Sequence, residues 1–135
     1  MISPSNPGFE KYNLSRRGYK WDVPIWYKAG NGTLNFEWLR RDEPLLINVD
    51  RSGPVVINGD RRGYFRQNYD SAGWNRIIKQ LKEDHKVFDY RTRYVLLSDA
   101  FAAAIIDQLD YATLFELLEY TPSEKVRTRL ELQLL

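Results

Sequence analysis

The stretch Gly63-Tyr64-Phe65-Arg66-Gln67-Asn68-Tyr69-Asp70, with Trp74 just beyond it, divides the chain, because the spacing of apolar residues changes there from two to about 3.6. Upstream, short alternating runs indicate strands; downstream, longer stripes indicate helices. In the dividing stretch Phe65, Gln67 and Tyr69 project from one side of an expected strand, and Tyr64, Arg66 and Asn68 from the other. Asp70-Ser71 then offers side-chain oxygens to cap a following helix. A chain with this switch is α+β: a small antiparallel β-sandwich followed by an α-helical array of three or four helices.

On the strand side, Tyr19, Trp21, Val23, Ile25 and Tyr27 alternate with Lys20, Asp22, Pro24 and Trp26, a half-buried strand in which Pro24 favours an edge or a bulge. After the turn Gly30-Asn31-Gly32, Leu34, Phe36 and Trp38 alternate with polar Asn35 and Glu37, which predicts a second strand with those three aimed at the core. Leu45 to Val49 predicts a third strand, Pro54 to Ile57 a fourth and the dividing stretch a fifth, with Asp50-Arg51-Ser52-Gly53 and Asn58-Gly59-Asp60 as hairpin turns. Five strands make a small sandwich.

On the helical side, Trp74, Ile77, Ile78 and Leu81 fall at i, i+3, i+4 and i+7 and predict a helix over about 72–84 that closes the end of the sandwich. Asp89 precedes a second helix with a stripe of Tyr94, Leu97, Phe101, Ala104 and Ile105, and Asp110 a third with Tyr111, Leu114, Phe115 and Leu118 inward. Thr121-Pro122-Ser123-Glu124 has the form of a capping box and predicts a fourth helix from Pro122 to about Leu134. Its narrow stripe ends on Leu134-Leu135, an apolar edge suited to a truncated helical array that starts like a HEAT stack. The expected division is a disordered lead over 1–8, a β-sandwich domain over 9–70 and a helical region over 71–135.

Chemistry is scarce. The 135 residues are 43% hydrophobic, ample for a folded interior, and a net charge of +2 gives no field for drawing in nucleic acid or an anionic membrane. Without cysteine there is no disulfide, thiolate metal site or cysteine nucleophile. No run approaches the roughly 18 apolar residues of a membrane span, and residues 1–8 lack the regions of a signal peptide, so direct membrane insertion is not expected. Asn13-Leu14-Ser15 and Asn31-Gly32-Thr33 are glycosylation acceptor sequences. The one histidine, His85, follows Glu83-Asp84 at a helix end, where a cationic side chain suits the dipole. Adjacent carboxylates, Asp42/Glu43 and Glu83/Asp84, point apart and fit solvated surface. The pairs Arg16/Arg17, Arg40/Arg41 and Arg61/Arg62 fit solvated turns better than a nucleic-acid platform with the tryptophans, and Arg66 within the dividing strand calls for a structural partner. No catalytic, cofactor-binding or metal-binding residue is expected in the chain.

The dividing stretch also resembles a family. Gly63-Tyr64-Phe65-Arg66, Asn68-Tyr69-Asp70 and Trp74 are similar to the G-(F/Y)-Y-R-V-N-Y-D…W block near the start of the C-terminal region of the M1 zinc aminopeptidases, with the aromatics at 64 and 65 and Gln67 as mild departures. Trp21-Asp22-Val23-Pro24-Ile25 resembles the family's W-x-I/V-P-L segment, Arg93 with Leu96-Leu97-Ser98-Asp99-Ala100-Phe101 its R-x-x-L-I-x-D-A-F segment, and Leu109-Asp110-Tyr111…Tyr120…Glu124 its L-x-Y…Y-L-x-x-E. The resemblance implies a non-catalytic C-terminal portion, sandwich plus the start of the helical domain, of an enzyme that removes N-terminal residues from peptides. It implies further that zinc, its H-E-x-x-H ligands and the G-x-M-E-N segment lie in an upstream catalytic domain, the partner of this portion in the same polypeptide. With the two acceptor sequences it leans toward the extracellular or lumenal side, though a cytoplasmic location stays open. Two other readings stand beside it: a stand-alone peptide- or glycan-binding module presenting sandwich aromatics such as Trp26, and a catalytically dead homologue acting as a scaffold.

Overall fold

The computed structural model of the protein describes residues 20–124. They form an α+β unit, a three-stranded antiparallel sheet followed by three helices. Strands β1 (Val23–Lys28), β2 (Leu34–Leu39) and β3 (Val56–Ile57) lie in the order β2-β1-β3. Among the described residues β3 reaches only Tyr27 and Lys28 and nothing pairs with β1 on that side at Pro24, where a residue without an N–H costs no ladder bond. Gly32, at φ +76°, makes the β1–β2 turn, and a Cβ there would stand 2.5 Å from the Val87 carbonyl oxygen.

The register decides which face each residue occupies. Val23 lies opposite Leu39 and Trp26 opposite Phe36, so Ile25, Tyr27 and Leu39 share the inner face with Ile57, while Trp26, Phe36 and Trp38 share the outer one. The expected core stripe of β2 is thereby corrected: Phe36 and Trp38 are 39% and 44% exposed, and Trp21 is 73% exposed. Leu45, Ile47 and Val49 keep their alternation and pack on the inner face, but residues 46–50 form no ladder, so the strand expected there is a covering segment. Among the described residues the outer face is closed at one end, where Lys28 and Val56 meet the helices.

Helix α1 (Ser71–Asp84) is capped by the Asp70 side chain, which accepts from the Gly73 N–H, and buries Trp74, Ile77, Ile78 and Leu81, each worth about 1.5–3 kcal/mol relative to exposure. A 3₁₀ turn, His85–Val87, leads to α2 (Tyr90–Ile105), capped by Asp89. α2 buries Val95, Leu96, Leu97, Ala100, Ala103 and Ala104, and its end at Ile105 is 74% exposed. α3 (Tyr111–Leu118), capped by Asp110, buries Leu114 and Leu117; Tyr111 and Phe115, expected inward, are 55% and 63% exposed and lie against each other at 6.4 Å.

The capping box is also corrected. Thr121–Ser123 is a 3₁₀ turn, the Thr121 hydroxyl donates back to the Leu118 carbonyl, and Glu124 turns to Arg93. The remainder of the expected fourth helix and the expected lead lie outside the described residues.

Candidate functional site

Between the sheet and the helices the chain takes an irregular path, and side chains hold it. Asn58 leaves β3 at φ 55° and turns the chain away from the sheet, so Asn58-Gly59-Asp60 is not the hairpin expected. Its buried carboxamide accepts from the Gly63 N–H at 2.8 Å and donates to the carbonyls of Gly63 and Phe65 at 2.9 and 2.8 Å. The Gln67 N–H donates to Asp99 and the Tyr69 N–H to the Asn68 side chain. With backbone groups satisfied in this way, residues 63–70 have no need of a neighbouring strand, and the fifth strand is absent. The inward-outward alternation persists: Phe65 and Tyr69 pack on the sheet core while Tyr64 is fully exposed.

Asp99 on α2 is the anchor of this path. Its side chain is 2% exposed and accepts from the Arg61 guanidinium at 2.6 and 3.3 Å and from Gln67 N–H at 3.3 Å. Arg66 approaches it at 3.5 Å and also donates to the Ser98 hydroxyl at 3.0 Å. Arg61 reaches Asp99 from a left-handed conformation, φ 53°, that a non-glycine residue adopts only under constraint. Two arginines against one carboxylate leave one positive charge, beside an open groove of about 500 Å³ lined by Arg61, Gly63, Tyr64, Phe65 and Arg66.

Three further links cross the same junction. Lys28 at the end of β1 donates to Asp60 at 2.8 Å and to Thr92 of α2 at 2.9 Å, with Asp89 at 3.6 Å. The Tyr69 hydroxyl accepts from the Ile57 N–H at 2.9 Å, its ring stands edge-on to Trp74 at 5.0 Å, and burial pushes its pKa far up. Asn68 accepts from the Trp74 indole at 2.9 Å and donates to the Gln108 carbonyl at 2.9 Å. Deeper in the helices, Arg93 holds Glu124 through paired bonds of 2.6 and 2.7 Å.

A family model described as the ERAP1-like C-terminal domain matches residues 54–130, more than half of the chain. The chain belongs to the C-terminal domain family of the M1 aminopeptidases. Aminopeptidase N of Haemonchus contortus is 49% identical over 125 residues, covering 91% of this chain and 13% of that protein. Glutamyl aminopeptidase of Rattus norvegicus is 34% identical over 114 residues, 82% of this chain and 12% of its own length. Thyrotropin-releasing hormone-degrading ectoenzyme of Mus musculus is 30% identical over 118 residues, 83% of this chain and 11% of its own. The chain thus spans little more than a tenth of the relatives it matches.

Of the residues that carry the resemblance to the M1 block, Gly63, Phe65, Arg66, Asn68, Tyr69, Asp70, Trp74 and Asp99 converge on the junction. Gly63 has no room for a Cβ, which would stand 2.5 Å from the Phe65 ring. Tyr64 points to solvent, Trp21 and Pro24 lie at the far end of the sheet, Phe101 packs against the helical core, and Arg93 serves the Glu124 pair. Arg66 finds its partner in Asp99. Arg61 was expected in a solvated turn and instead makes the shortest bond to that carboxylate; no periodicity marks it, and its only signal was its place after the Asn-Gly-Asp turn.

On the outer face Arg62, Trp26, Phe36, Trp38 and Arg40 follow one another in contact, at 4.8, 4.6, 5.5 and 5.7 Å, with Trp26 tilted on Phe36 and Phe36 edge-on to Trp38. Among the described residues no three His, Cys, Asp or Glu side chains gather as a metal-holding group, and the His85 ring lies 6.2 Å from that of Tyr120. Among the described residues no helix is long and apolar enough to cross a membrane.

Proposed function

We propose that this chain is the sandwich-to-helix junction of a larger zinc aminopeptidase, bridging the catalytic domain in the same polypeptide to the helical domain. The single observation that supports it most is Asp99: one buried carboxylate on α2 takes bonds from Arg61, Arg66 and the Gln67 backbone, and so ties the path that leaves the sheet to the helices. M1 aminopeptidases are zinc metallopeptidases as a family. In this reading residues 9–70 are the sandwich domain, 71–135 open the helical domain, the parent removes N-terminal residues from peptides, and zinc sits in the catalytic domain. The relative named as an ectoenzyme favours the extracellular or lumenal side.

In the full-length enzyme, Asp99→Ala is expected to lower kcat/KM for peptide substrates at unchanged zinc content. Peptidase activity equal to the wild type, with the junction loosened by hydrogen-exchange measurement, would refute the bridging role. The exposed aromatics of the outer face favour a second reading, a docking platform for peptide or glycan. Trp26→Ala with an intact fold and lost ligand capture would support it, and unfolding would exclude it.

A further inference from the structure

We propose that Asn31 is an N-glycosylation site, a reading that rests on the extracellular or lumenal placement above. Among the described residues, Asn31-Gly32-Thr33 is the one Asn-x-Ser/Thr sequence, and the structure sets it at the β1–β2 turn with Asn31 and Thr33 both exposed. The Asn31 Oδ1 accepts from the Thr33 N–H at 3.0 Å, which fixes the carboxamide while its Nδ2 makes no hydrogen bond among the described residues. Three other asparagines differ: Nδ2 of Asn35, Asn58 and Asn68 each donates to a backbone carbonyl that would lose its partner on modification. The Thr33 hydroxyl is equally unengaged among the described residues. Gly32 between them is held against Val87, where any Cβ would collide, so the turn presents the asparagine and the threonine and keeps its middle residue inward.

The step is oligosaccharyl transfer from a lipid-diphosphate donor by a membrane-bound transferase. A bond forms between Nδ2 and the sugar C1, the C1–O bond to the diphosphate breaks, the lipid diphosphate leaves with the electron pair, and an amide proton passes to a base of the transferase. The turn lies at the opposite end of the hairpin from Trp38, so the glycan leaves that part of the aromatic face open.

The test is peptide mapping of the full-length protein from its source tissue after glycan release by peptide N-glycosidase in heavy-oxygen water, with surface biotinylation of the same cells. Conversion of residue 31 to labelled aspartate is expected. An unmodified Asn31 in surface-labelled protein overturns the site alone; an unmodified Asn31 in protein that biotin does not reach overturns the site and the placement together. In a secretory animal-cell host, Asn31→Gln and Thr33→Ala must each remove one glycan step from the gel mobility of the full-length protein, and Thr33→Ser must keep it. Retention of that step in either of the first two variants would also overturn the assignment.

Discussion

Replacing Glu124 by alanine tests the most deeply buried charge pair in the described residues. Arg93 and Glu124 are 8% and 2% exposed at their side chains and meet through two bonds, 2.6 and 2.7 Å. Removing one member of such a pair strands the other, at a cost of about 3–5 kcal/mol. Arg93 keeps carbonyl acceptors at His85 and Phe88 for its Nη1, so the lower end applies, about 3 kcal/mol. For a chain of this size that is a fall in melting temperature of about 10 °C. Replacing both partners by apolar residues, Arg93→Met with Glu124→Leu, removes the stranded charge and is expected to restore stability to within about 1 kcal/mol of the wild type. Chemical denaturation of the wild type, Arg93→Met, Glu124→Leu and the double variant closes a double-mutant cycle and supplies the coupling energy. A Glu124→Ala variant within about 0.5 kcal/mol of the wild type, or a double variant as unstable as the single one, would refute the reasoning.

Asp99→Ala should cost about 2–3 kcal/mol, less than a fully buried pair because Arg61 is one-third exposed, while Arg66→Ala should cost under about 1 kcal/mol; equal losses in denaturant titrations would count against Asp99 as the anchor. Gly32→Ala places a side chain at φ +76° and against the Val87 carbonyl, and is expected to lose about 1–3 kcal/mol by thermal melting; an unchanged melting temperature would contradict the turn geometry. The Asp89 carboxyl is held low: burial raises its pKa, but bonds from Thr92 and the charge of Lys28 outweigh it. That of Asp110 is lowered by Thr113. A depressed pKa means that these caps contribute fully above the ordinary carboxylate range and are lost as pH falls through and below it, under about pH 4. Melting temperatures from pH 7 to 3 should show that fall, and Asp89→Asn with Asp110→Asn, which keep capping side chains without titrating, should flatten it.

The helices were legible because local signals agree. Asp70, Asp89 and Asp110 each mark a start, and Trp74, Ile77, Ile78 and Leu81 leave only one face to bury. The strands were legible as alternation and not as faces or ladders. Phe36 and Trp38 carry the pattern of a core stripe, but the cross-strand register, and arginines that shield the rings, send them outward. Residues 63–70 alternate like a strand, yet Asn58 and Asp99, distant in sequence, take up the backbone groups that a neighbouring strand would use. Glu124 resembles a capping residue in its local setting, and only the approach of α2 shows that its partner is Arg93. What stayed hidden depends on which distant side chains meet, and single-chain periodicity carries no record of that.

The measurement that bears most directly on the central claim is a denaturing blot of source-cell extract with antibody raised against this chain, followed by peptide mass mapping of the band. A band far larger than 16.0 kDa that yields an H-E-x-x-H peptide is the expected result, and makes the junction part of a zinc aminopeptidase. A sole band at 16.0 kDa would contradict it and leave the aromatic outer face as the seat of function.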